Sequence, residues 1–342
     1  MNYFNNSFRF TWKQFSADLL WAFDLLRSGR KDASVKRAVR FVLRGLTSVR
    51  STALWLNFLR ESNLLATSVS EATFVDRIHR PFFDKRCGTD TRTDYLCSHF
   101  SILAQLLDEE QLHKVISGVG ITLSTLFGKS GEIVELNLVR LPSYDREGGA
   151  SIELCVNGRA LLLMTFTLVY QHQHYAIKIG GIQAKEYPDA DSRSLMRDTT
   201  HALYGIQPRI LMIETLRHLA KQLGCESIEC IHEQNHIYRA LRYRNKKTIH
   251  AQYNVLWEIV GGALNAQGNF SIPSSVPEKP IESRPSKKRN EYRHRALLIE
   301  AIRTQMNLAI QPALVFPQVD TYVHANPNNP LFSPVVASLE TT

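Results

Sequence analysis

The sequence predicts an α+β fold: a mixed sheet with a helical region before it and a basic helix after it. Three observations lead there. Apolar residues recur at three- and four-residue steps through 12–62 and 100–118. Between 132 and 184 they alternate or run together in strand-length stretches. From Gly205 to His232 a glycine turn, a long amphipathic helix and a short strand follow in order. The chain has 342 residues, 44% hydrophobic and 21% charged. That composition supports a sizeable core and excludes disordered and disulfide-dense classes.

The first helix is marked by Trp12, Phe15, Leu19, Phe23 and Leu26. After Ser28-Gly29, Ser34 is placed to cap a second. Its apolar side carries Val35, Ala38, Val39, Val42, Leu43 and Leu46, and its basic side Lys36, Arg37, Arg40 and Arg44. An amphipathic helix in a globular domain ordinarily turns its apolar side inward, so that side is expected to be buried; the alternative is a helix lying on anionic lipid or docked on a phosphate backbone. A helix covers 51–62 and another 100–118, with a loop at His79-Arg80-Pro81 between them. Strands follow at 132–141, 151–156 and 159–170, the last two joined by Asn157-Gly158, a favoured hairpin turn. A further strand, 174–184, ends near Gly180-Gly181. The helix after Gly205 stops at Leu223-Gly224, and Glu226–His232 returns as a strand. A short helix from Asn235 and closing strands at 253–262 and 269–273 complete the core. Pro273, Pro277, Pro280 and Pro285 mark a connector, then Ser286–Met306 forms a basic helix. The domains are thus a basic helical segment, 1–62, an α/β core, 63–272, a connector with basic helix, 273–310, and a disordered tail, 311–342.

The net charge of +9 is unevenly spread. Residues 1–60 carry +8, residues 61–282 carry −2, and residues 283–303 carry +5. Lys36, Arg37, Arg40, Arg44, Lys287, Lys288 and Arg289 are therefore the candidates for contact with an anionic surface. The partner is an anionic membrane or envelope precursor, with RNA as the alternative. The longest apolar run, Ala160–Tyr170, is far short of a membrane span. No secretory leader is evident at the N-terminus, and five cysteines without a CxxC pair fit a reducing cytoplasm.

His232-Glu233-Gln234-Asn235-His236 matches H-E-x-x-H, a zinc signature that requires both histidines on one helical face. Here the pair straddles a strand–helix junction, so no metal site is assigned. His172-Gln173-His174 reads as a polar turn between strands. No G-x-S-x-G or phosphate-binding Walker loop occurs. For acid–base work the candidates are Glu214, within the amphipathic helix, and His201, just before the glycine turn.

The order of hairpin, strand, glycine turn, helix and strand, with the run GIQPRILMIETLRHLAKQLGCESI, resembles the cofactor half of the GCN5-related N-acyltransferase fold. That resemblance implies acyl-CoA as cofactor, with its pyrophosphate at the start of the 208–222 helix and Gln183, Gly205, Gln207 and Arg209 around it. The glycine-rich loop of that family is missing here, and Pro208 removes one amide donor. HRPFFDKRC (79–87), residues 181–224, NHIYRA (235–240), YNVLWEIVGG (253–262) and KKRNEYRHRALLIEAI (287–302) together resemble the VirK/YbjX family of Gram-negative bacteria. This second resemblance implies a cytoplasmic or inner-face virulence and envelope-stress factor, tied to antimicrobial-peptide resistance. It brings no catalytic residues with it. The alternative is a non-enzymatic RNA- or lipid-binding accessory protein.

Overall fold

The computed structural model describes residues 10–28, 34–62, 64, 71–171, 174–188, 191–241, 243, 253–277 and 280–310. The expected tail at 311–342 and His172 of the polar turn lie outside these residues.

Helices α1 (Trp12–Ser28), α2 (Val35–Thr47) and α3 (Val49–Glu61) come first. Ser34 caps α2 as expected, its side chain accepting from the Arg37 amide. The buried side of α2, however, is Ala38, Phe41 and Gly45, while Val35, Val39, Leu43 and Leu46 face outward. The expected inward side therefore holds at Ala38 and is corrected at Val35, Val39, Leu43 and Leu46. Gly45 explains it, because a Cβ there would lie 3.1 Å from Leu19 Cδ2, so α2 meets α1 along its small-residue face.

After the short α4 (Glu71–Val75), the expected 100–118 helix proves to be two, α5 (Thr89–Leu106) and α6 (Glu109–Ser117). Asp108 separates them by starting a capping box with Gln111, a competing helix start inside one apolar pattern. Strands β1 (Ile121–Phe127), β2 (Ile133–Val139), β3 (Ala150–Val156), β4 (Arg159–Gln171) and β5 (His174–Ala184) then form an antiparallel run. Strand β1 had no place among the expected elements. Asn157 and Gly158 both take positive φ in the hairpin turn, as that dipeptide favours. Strand β4 is buried at every position from Leu161 to Val169, so both of its faces are covered. Helices α5 and α8 (Pro208–Gln222) each pack on it.

A crossover through α7 (Ser192–Ala202) and α8 brings β6 (Ser227–Cys230) parallel to β5. Gly224, at φ +69, ends α8 as expected. Two expectations fail beyond it. Among the described residues of 235–243 there is a three-residue 3₁₀ turn, Ile237–Arg239, in place of the expected helix, and Tyr253–Ile259 is a helix, α9, rather than a strand. Buried Tyr253, Leu256 and Trp257 follow a helical step, and Trp257 Nε1 donates to the Ile231 carbonyl. Strands β7 (Ala263–Leu264) and β8 (Phe270–Pro273) close the sheet in the order β1-β2-β3-β4-β5-β6-β8-β7. Helix α10 (Ser286–Ala309) lies along β1, where the Gln305 side chain accepts from the Thr125 amide at 2.7 Å and donates to its carbonyl at 3.0 Å. One hydrophobic core runs from Phe15 to Ile310, so the N-terminal helices, the sheet and α10 are packed together.

Candidate functional site

The sheet contains one parallel pair, and it is short. Strand β5 meets β6 only through Ile177, Lys178 and Ile179, with the Ile231 amide adding a bond to the Ile179 carbonyl. At that point the register between β4 and β5 slips by one residue, leaving Gly180 as a bulge. Past it, Gly181–Ala184 keep β4 on one side and have no strand on the other among the described residues.

Glu147, from the β2–β3 connection, lies against this bulge. A Cβ at Gly180 would stand 1.8 Å from the Glu147 carbonyl oxygen, and one at Gly181 2.6 Å from Glu147 Oε2. Only glycine permits that approach, the usual meaning of paired glycines within a strand. The Glu147 carboxylate is fully buried and accepts from Gln183 Nε2. Tyr238 also hydrogen-bonds it. Burial first, then the Glu147 charge, pushes the Tyr238 and Tyr253 hydroxyls well above the ordinary tyrosine range, so both stay protonated. The Tyr253 hydroxyl reaches the backbone of Ile182 on the unpaired side of β5. The His236 ring sits between these tyrosines, 5.3 Å from Tyr238 and 5.5 Å from Tyr253.

The 79–87 segment ties this region together. The Phe83 amide donates to the Arg146 carbonyl, the Lys85 amide donates to the Asn235 carbonyl, and Asp84 forms a bridge with His236. Phe83 is held at φ +58, an uncommon conformation for an aromatic residue. Beside it lies an ionic group, buried at Lys178 and Asp84 and open to solvent at Arg86. Lys178 pairs with Glu229, Arg86 pairs with Asp84 at 2.5 Å, and Asn269 Nδ2 donates to both Asp84 and Glu229.

A second feature opens at the start of α8. A cavity of about 620 Å³ is lined there by Lys129, Arg197, His201, Gly205, Gln207, Arg209 and neighbours. Four of the residues expected from sequence, His201, Gly205, Gln207 and Arg209, therefore share one wall. The preceding turn is tight, with Tyr204 at φ +54 and Gly205 at φ +79. Arg295 of α10 holds it, donating through Nε to the Tyr204 carbonyl at 2.6 Å. The amides of Ile210 and Leu211 both return to the Gln207 carbonyl, so they are committed to the helix. Charge in this cavity comes chiefly from side chains.

Gln183 is not in that wall; it is bonded to Glu147. Glu214 is elsewhere too, paired at 2.6 Å with Arg217, whose guanidinium also donates to the Pro273 and Val260 carbonyls. The H-E-x-x-H residues lie in the turn after β6 rather than on a helix. His232 accepts from the Gln234 amide and stacks on Phe270, and His236 accepts from the Tyr238 amide. Of the basic candidates, Arg37 pairs with Asp76, Arg44 donates to the His79 carbonyl, and Arg289 donates to the carbonyls of Arg284 and Glu282. Lys36, Arg40, Lys287 and Lys288 are exposed. Sequence reasoning missed Glu147, Tyr238 and Tyr253. Their one trace was Gly180-Gly181, a pair that signals close approach without naming what approaches.

Residues 30–308 match the DUF535 family, described as a protein of unknown function. An uncharacterised protein of Escherichia coli K12, YbjX, is 32% identical over 271 residues, 78% of this chain and 81% of that protein. The chain belongs to the VirK/YbjX (DUF535) family. An uncharacterised protein of Haemophilus influenzae is 30% identical over 232 residues, covering 67% of this chain and 74% of its own length. No solved structure matches the chain. In this YbjX-family chain, four of the segments that carry the resemblance come together in part, while residues 287–302 lie apart in α10. Residues 79–87, 181–183, 235–240 and 253 all border the β5–β6 divergence and Glu147. No helix among the described residues is long and apolar enough to cross a membrane.

Proposed function

We propose that this protein is a divergent acyl-CoA-dependent acyltransferase of the GCN5-related type. The observation that carries the reading is the parallel strand pair β5–β6, which separates at a bulge and leaves Gly181–Ala184 without a second strand partner among the described residues. In the fold it resembles, an acyl-thioester lies where two parallel strands diverge, and its pyrophosphate meets the start of the next helix. The order β2-β3-β4-β5-β6-β8-β7, with a helical crossover between the parallel strands, agrees with that arrangement. Lys129, Arg197 and Arg209 supply the positive charge that phosphates require, beside a Glu291 carboxylate that pairs with Arg295.

Glu147 is the acid–base group in this reading. An acceptor amine or hydroxyl attacks the thioester carbon, its proton passes to the Glu147 carboxylate, and the coenzyme leaves as thiol or thiolate. His201 faces the phosphate end, and Glu214 serves as the charge partner of Arg217. The inner-face setting, a lipid or glycan precursor as acceptor, and the roles in envelope maintenance and antimicrobial-peptide resistance belong to the same proposal through the family resemblance. A second reading, a non-enzymatic lipid-binding role, is favoured by the outer face of α2.

Thermal melting with acetyl-CoA and longer acyl-CoAs tests the first reading. Stabilisation that Arg209→Glu abolishes supports it; no shift with any chain length removes its basis.

A further inference from the structure

We infer that the outer face of α2 is a docking surface for anionic lipid, seated in the headgroup region rather than spanning the bilayer. Val35, Val39, Leu43 and Leu46 are 58%, 43%, 60% and 53% exposed. Spaced at four, four and three residues, they form one continuous stripe on the helix. A monomeric domain rarely leaves such a stripe in water, and this one is separate from the Ala38–Phe41–Gly45 face that holds α2 to the body.

Charge identifies the occupant. Lys36 and Arg40 fall beside the stripe, are exposed, and have no ion pair among the described residues. Further round, Arg37 pairs with Asp76, and Arg44, though exposed, donates to the His79 carbonyl. The acids of neighbouring α1 do not offset this charge: Asp18 is buried against Arg60 and Asp24 pairs with Arg27. The surface is therefore a narrow apolar ridge edged by cations that have no ion pair among the described residues. That combination suits the boundary between acyl chains and anionic headgroups. Helix α1 adds exposed Trp12 and Leu20, of the residue types that settle at such a boundary. This inference is independent of the transferase reading, since α2 contributes nothing to the β5–β6 divergence or the α8 cavity.

The test is flotation of the full chain with vesicles of phosphatidylglycerol and phosphatidylcholine, against phosphatidylcholine alone. Binding to the anionic vesicles only is expected. Lys36→Gln with Arg40→Gln should weaken it roughly 30-fold. Val39→Ser with Leu43→Ser should weaken it about tenfold or more without lowering the melting temperature, because both side chains already face solvent. Any acyl-CoA stabilisation should survive in both variants. Three results would overturn the inference. One is anionic-vesicle binding indifferent to Val39→Ser/Leu43→Ser. Another is binding to poly(U) with none to vesicles. The last is a dimer in solution that Val39→Ser/Leu43→Ser dissociates, with no vesicle binding, which would assign the stripe to a second copy.

Discussion

Replacing Gly180 by alanine probes the junction on which the candidate site depends. An added Cβ would stand 1.8 Å from the Glu147 carbonyl oxygen and 2.7 Å from its carbon, where ordinary contact begins at 3.4 Å. The obstacle is backbone, so no side-chain rotation relieves it. Strand and loop must separate by a distance of the order of the 1.8 Å contact itself. Such a shift takes the Glu147 carboxylate away from Gln183 and Tyr238, two hydrogen bonds to a charged group. At about 1.5–3 kcal/mol each, the loss is roughly 3–6 kcal/mol. Domains of this kind are stable by roughly 5–15 kcal/mol, so the variant should fold poorly or melt far earlier. Gly88→Ala is the control, since nothing lies within 4 Å of its Cβ position and its φ is −72. Urea unfolding followed by circular dichroism should show a large fall in midpoint for Gly180→Ala and a change within about 0.5 kcal/mol for Gly88→Ala. Equal midpoints would refute the close approach of Glu147 to the bulge, and with it the geometry of the site.

Acid should destabilise the protein. Burial first, with nearby arginines second, pushes His79 down to about 4 and His99 down to about 3, whereas burial and Asp90 push Asp94 up to about 7. Between pH 4 and 6.5 the unfolded chain holds both histidine protons that the folded chain lacks. The folded chain keeps one on Asp94 that the unfolded chain has lost. Among these three groups the net difference is one proton, so together they lower stability by about 1.4 kcal/mol per unit of acidification. Asp94→Asn removes the opposing proton and should roughly double that slope in pH-dependent urea melts; an unchanged slope contradicts the assignment. Glu214→Gln should lower stability by about 1–2 kcal/mol by weakening its bond with Arg217, yet leave any acyl-CoA-induced melting shift in place. Gln305→Ala exposes both backbone groups of Thr125 and should cost about 1–2 kcal/mol in the same unfolding assay, while leaving any acyl-CoA-induced shift intact.

The fold was legible wherever local pattern and tertiary demand coincide. The Asn157-Gly158 turn, the apolar run of β4 and the Gly224 stop of α8 each follow from nearby residues alone. Failures came where one residue redirects a pattern. Asp108 divides an apolar repeat into α5 and α6, and Gly45 rotates α2 so that its more apolar side faces water. In 253–262, β-favouring Tyr, Val and Trp suggested a strand, but Tyr253, Leu256 and Trp257 repeat at helical steps. At the α8 cavity, His201 to Arg209 are contiguous in sequence, whereas Lys129 and Glu291 reach the same cavity only through folding. The Glu147 cluster was not, since its members come from positions 147, 183, 238 and 253 and only folding joins them. Gly180-Gly181 was the local mark of that meeting, and it says nothing about the chemistry of its partner.

Hydrogen exchange with and without an acyl-CoA tests the account most directly. Along β5, Gly181–Ala184 have no strand partner on one side among the described residues, and the turn 203–209 opens onto the cavity lined by Lys129, Arg197 and Arg209. The account predicts added protection in both segments together, with α2 unchanged. Protection confined to other segments, or none at saturating ligand, would contradict it.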